Sequence, residues 1–125
     1  MAYSKTLLDH FNQPRNTGEL DTADDAVGVG IAEDVANGRK VEFHLRIVAD
    51  HVAEVRFRAL GCPYTIAAAS LAGERLSDQG FAAAEKFSAK ELLQQLDAPP
   101  EKAPVGLVIE DAVHAALKNW RGKQK

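Results

Sequence analysis

The chain has 125 residues, 46% of them hydrophobic and 26% charged, with a formal net charge of -3 and one cysteine, Cys62. That length fits one compact domain spanning 1–125 with a single core, and the chain has no apolar run long enough to cross a bilayer and no signal-peptide pattern, so a cytoplasmic location is expected. The single cysteine excludes an intrachain disulfide, and scattered basic residues under a negative net charge argue against a nucleic-acid surface.

Residues 4–11 place Leu7, Leu8 and Phe11 on one helical stripe, which Pro14 and Gly18 then break. Residues 26–31 read as a short strand at a sheet edge, weakened by Gly28 and Gly30, whose spacing lacks the rest of a phosphate-binding signature. Between 40 and 61, Val41, Phe43, Leu45 and Ile47, then Val55, Phe57 and Ala59, alternate with polar residues. This predicts a hairpin with one core face and one wet face, His44 lying on the wet side. A three-residue loop at 49–51 sets Glu42 against Arg58 and Arg46 against Glu54, so opposite charges meet across the strands.

A helix is predicted over 63–76, with Pro63 in the first turn and Ile66, Ala69, Gly73 and Leu76 on the packed stripe. Ser88 and Glu91 have capping-box spacing ahead of Leu92, Leu93 and Leu96, and 97–100 ends that helix. A last helix starts near Pro104 or Val105 and buries Val105, Val108, Ala112, Ala116 and Trp120. Its basic tail, from about residue 118, complements the helix dipole and stays solvated. Strands early and helices late predict an α+β fold, a small three-stranded antiparallel sheet with helices packed on one face. The four histidines are too dispersed for a local metal motif and are expected to face solvent. No clustered nucleophile or acid–base motif marks an enzyme.

Several segments resemble the NifU amino-terminal or IscU-type iron-sulfur cluster assembly scaffolds. Asp9-His10-Phe11 followed by Asn12-Gln13-Pro14-Arg15-Asn16-Thr17-Gly18 is similar to that family's opening D-H-[FY]-x-N-P-R-N-x-G stretch, with Gln13 departing from the usual asparagine. Val27-Gly28-Val29-Gly30 resembles its glycine-rich first strand, Arg56 to Cys62 its strand ending in Gly-Cys, and Glu110-Asp111-Ala112 its final helix. The resemblance implies a scaffold that holds iron or a [2Fe-2S] cluster on three cysteines plus an aspartate or histidine.

Here the ligand set is substituted. Asn37-Gly38-Arg39 stands where the family has Cys-Gly-Asp, and Pro104-Val105 where it has His-Cys, which leaves Cys62. The segment that family members present to an Hsp70-type chaperone appears as Ala98-Pro99-Pro100-Glu101-Lys102; it keeps Pro99, Pro100 and Lys102 for partner binding but loses both apolar anchors, which argues against that chaperone. At a helix amino terminus, Cys62 gains thiolate character, and Arg39 is the expected cationic neighbour. It then reads as a persulfide acceptor or single metal ligand; the alternative is a small buried hydrophobe. Two functions follow from the resemblance. One is a scaffold relative that handles iron, sulfur or a cluster, with the missing ligands supplied by a second copy in a homodimer or by a partner. The other is a non-catalytic module that docks a cysteine desulfurase or other assembly component without holding a cluster.

Overall fold

A computed structural model describes residues 3–124 and contains the α+β fold that the sequence pattern predicts. Three antiparallel strands, β1 (Val27–Asp34), β2 (Arg39–Val48) and β3 (His51–Leu60), pair in the order β1-β2-β3. The inward residues of β2 and β3, among them Val41, Phe43, Leu45, Val55 and Phe57, are buried, as the alternation requires. Helices α2 (Pro63–Leu76) and α5 (Ala103–Lys123) cover that face, and α1 (Lys5–Asn12) packs on α2. A short α3 (Phe81–Glu85), for which the sequence gives no periodic signal, and α4 (Lys90–Gln95) close the layer. Among the described residues no helix is long and apolar enough to cross a membrane.

Gly28 and Gly30 do more than mark a weak edge. Both face α5, and a Cβ would fall on the Ala116 carbonyl oxygen at Gly28 and on the Ala112 carbonyl oxygen at Gly30. The helix backbone therefore lies directly on the strand, an approach that only glycine permits. The far end of α5 also fastens to β1. Asn119 Oδ1 accepts from the Val29 N–H at 2.9 Å, and Lys123 Nζ donates to the carbonyls of Val27 and Thr22 at 2.7 and 2.9 Å. The basic tail is thus helical as far as Lys123, whose ammonium docks on the strand, while Lys118 and Arg121 stay exposed; Lys125 lies outside the described residues.

The hairpin keeps the expected Glu42–Arg58 and Arg46–Glu54 pairs by a different route from a three-residue loop. Ala49 and Asp50 both adopt positive φ, 51° and 61°, which makes a tight two-residue turn, and Ala53 is left over as a bulge. His44 is not on a wet face, because the segment before β1 crosses it. The Leu20 N–H donates to His44 Nδ1 at 3.0 Å, so Nε2 carries the proton and donates to Glu42 at 2.6 Å. His10 is buried too, its Nδ1 2.7 Å from the Ser70 hydroxyl, which also accepts from the Arg15 N–H at 2.9 Å. The Asp9-His10 and Pro14-Arg15 motif is a clasp between α1 and α2. His51 and His114 are exposed, as predicted.

The capping-box spacing is used differently. Ser88 accepts from the Lys90 N–H at 3.3 Å, but Glu91 reaches Arg75 at 2.8 Å instead of folding back, because the cation on α2 offers a charge-assisted partner.

Gly30→Ala is expected to cost about 2–3 kcal/mol, as overpacking against a fixed backbone does. A lowered urea midpoint would report it, and an unchanged midpoint would show that α5 does not bear on β1 at this position.

Candidate functional site

The strand β3 ends at Leu60, and the chain turns sharply at Gly61 so that Cys62 becomes the N-cap of α2. Gly61 has φ +146°, and a Cβ there would lie 2.8 Å from Thr65 Oγ1. Glycine therefore both relieves the backbone and lets the Thr65 hydroxyl come to the thiol, 3.5 Å from Sγ. From the other side Lys102, at the end of the 3₁₀ turn Pro100–Lys102 that leads into α5, brings Nζ to 3.7 Å from Sγ. The same ammonium sits 5.5 Å from the Tyr64 ring centroid, and Tyr3 packs edge-on against that ring at 5.7 Å.

Cys62 is half-buried. Partial burial pushes its pKa up, but the Thr65 hydroxyl and N–H, the Lys102 charge and the Tyr64 N–H together outweigh it. The thiol titrates below its ordinary value of 9.0. What this arrangement can do chemically is hold a thiolate open to a small electrophile.

The cation beside Cys62 is Lys102, not Arg39. Arg39 is buried on β2 and its Nη1 pairs with Asp34 at 2.6 Å, while its Nε has no hydrogen-bond partner. Asn37, exposed in the 3₁₀ turn Val35–Asn37, donates to the same Asp34 oxygen at 2.9 Å. Asp34 thus gathers both side chains. Its pKa is held down first by the Asn37 hydrogen bond and then, against partial burial, by Arg39. Pro104 is exposed in the first turn of α5, and Val105 is fully buried in the core. Among the described residues, no three His, Cys, Asp or Glu side chains converge on a point.

Pro99 and Pro100 line a shallow groove of about 190 Å³ with Leu93, Ala98 and Ala103. Lys102, which the sequence places with these prolines, points instead to Cys62. Three large apolar side chains stand out at this end of the molecule: Val35, 82% exposed; Leu60, next to Gly61, 67%; and Leu107, in the second turn of α5, 61%. Sequence reasoning missed them, although Leu60 breaks the alternation of β3 by placing an apolar residue on the polar face.

Residues 2–125 match the model of the NifU-like N-terminal domain. The chain belongs to that family. It is 35% identical over 121 residues to the iron-sulfur cluster assembly protein IscU of Plasmodium falciparum, covering 97% of this chain and 75% of that one. It is 31% identical over 125 residues to the iron-sulfur cluster assembly scaffold protein IscU of Haemophilus influenzae, covering 99% of both. The crystal structure of a NifU-like protein (N-terminal) from Brucella abortus superposes with a TM-score of 0.71 at 17% identity over 97% of this chain and 95% of that one, a likeness of fold. The IscU-type kinship that the motifs imply is therefore established, while the role of each site residue rests on its geometry.

Thr65→Val removes the hydroxyl with little change of shape and is expected to raise the Cys62 thiol midpoint by up to about one pH unit. Alkylation rate against pH measures it, and an unmoved midpoint would show that Thr65 does not support the thiolate.

Proposed function

We propose that this chain, acting as one domain in the cytoplasm, is an IscU-type scaffold relative that accepts sulfur at Cys62 from a cysteine desulfurase. Iron or a [2Fe-2S] cluster is its cargo only when a second copy or a partner adds ligands. The observation that carries the reading is the half-buried Cys62 sulfur between Thr65 and Lys102. The Cys62 thiolate attacks the terminal sulfur of the desulfurase persulfide; a new S–S bond forms at Sγ, the donor S–S bond breaks, and the donor leaves as a thiolate. Thiols and sulfane sulfur are conserved in number, so no oxidant is needed. Cys62 is changed by the transfer, and the protein acts as a carrier rather than an enzyme.

The donor set does not fit a cluster held by one chain. Such a cluster takes about four ligands, and the positions offered are one thiolate, an amide tied to Asp34, a buried guanidinium and a core valine. A second reading, a docking module without sulfur chemistry, draws on the apolar exposure of Val35, Leu60 and Leu107. The groove at Pro99 and Pro100 is the place for a further assembly partner; the lost apolar anchors disfavour an Hsp70-type chaperone there.

Incubation with a cysteine desulfurase and cysteine, followed by thiol trapping and intact-mass measurement, should add about 32 mass units at Cys62 and nothing in Cys62→Ala. If both forms bind the desulfurase equally and neither gains mass, the docking reading holds and sulfur acceptance fails.

A further inference from the structure

We infer that Lys102 is the positioning residue that readies Cys62 for sulfur acceptance, its ammonium holding the thiolate in place of the metal ligands this site lacks. The inference rests on the sulfur-acceptor reading and adds to it a specific residue and a cation source. Nothing in the order of the sequence pairs the two. Forty positions separate them, and Lys102 belongs by motif to a proline-containing partner segment.

The geometry makes the pairing. The 3₁₀ turn Pro100–Lys102 rises from the Pro99 groove and ends as α5 begins, so the Lys102 side chain leaves the groove side and passes over the Tyr64 ring. There the aromatic face supports the ammonium while Nζ–H donates to Sγ at 3.7 Å. Lys102 is itself half-buried, which keeps water from fully screening the contact.

The Thr65 hydroxyl and N–H lower the thiol pKa more than Lys102 does but carry no charge, and the other titratable groups facing this pair cannot replace the cation. Tyr64 stays neutral because burial, and after it Tyr3, Cys62, Asp97 and Glu101, raise its pKa. Asp97 and Glu101 are acidic and supply no cation. Arg39, the cation at the same end of the sheet, is already paired with Asp34. The Lys102 ammonium is thus the charge beside the sulfur that favours the thiolate. After transfer it faces the sulfur that now bears the negative charge, the terminal atom of the Cys62 persulfide.

The test measures the alkylation rate of Cys62 against pH in metal-chelated, desalted wild type, Lys102→Met and Lys102→Arg, and in parallel the rate of persulfide loading from a desulfurase. Lys102→Met is expected to raise the thiol midpoint by up to about one unit. A full unit leaves about tenfold less thiolate at pH 7, offset about threefold by the greater nucleophilicity of a more basic thiolate, so alkylation slows by up to roughly threefold. Lys102→Arg should keep most of the shift, and urea midpoints for the three proteins separate this effect from loss of fold. A wild-type midpoint in the ordinary thiol range, or one that Lys102→Met leaves unmoved in a folded protein, overturns the assignment of Lys102 whether or not loading occurs. A midpoint that moves as expected in a wild type that takes no sulfur upholds the Cys62–Lys102 pair and overturns the acceptor reading instead.

Discussion

The contact on which the rest of the structure depends is the backbone-to-backbone approach of α5 to β1 at Gly28 and Gly30. Because no side chain intervenes, the helix lies at a fixed depth and direction across the sheet, held at its far end by Asn119 and Lys123. Its near end is thereby delivered to the close of β3, where Cys62 caps α2. Side chains far apart in sequence meet there because one helix has only one way to lie. A loosened α5 would act on the sulfur site through position alone, without touching it.

The same rigidity explains how a scaffold fold tolerates the loss of ligands. A buried or half-buried polar position must be given a partner or converted to core. Val105 takes the second course and joins the apolar cluster behind the sheet. Arg39 takes the first, on Asp34, which the exposed Asn37 also reaches. Cys62 stays half-buried, with the Lys102 ammonium and the Thr65 hydroxyl beside its sulfur. The site is consistent within itself as an anion-stabilising pocket of one sulfur, which is a different chemical object from a cluster cage with holes.

Much of this was legible in the sequence, and the reasons are physical. The strand alternation from Val41 to Ala59 and the proline-led helix at 63 are local signals, and both elements form where the pattern sets them. The family motifs also read correctly, since their order along the chain follows from the fold they share. What was illegible depends on three dimensions. His44 alternates as an outward residue, and only the crossing of the Leu20 segment buries it. The turn at Ala49 and Asp50 carries no glycine, so its left-handed backbone gives no compositional mark. Lys102 lies in a segment whose motif suggests another use, and Arg39 was the more natural partner for Cys62 until Asp34 claimed it.

The central claim is that one chain offers a cation-paired thiolate and not a cluster cage. Anaerobic reconstitution of the monomeric protein with ferrous iron and sulfide, followed by desalting and iron analysis, tests it most directly. The structure predicts a colourless product with iron far below one per chain. About two irons per chain, with visible cluster absorbance that Cys62→Ala abolishes, would contradict it.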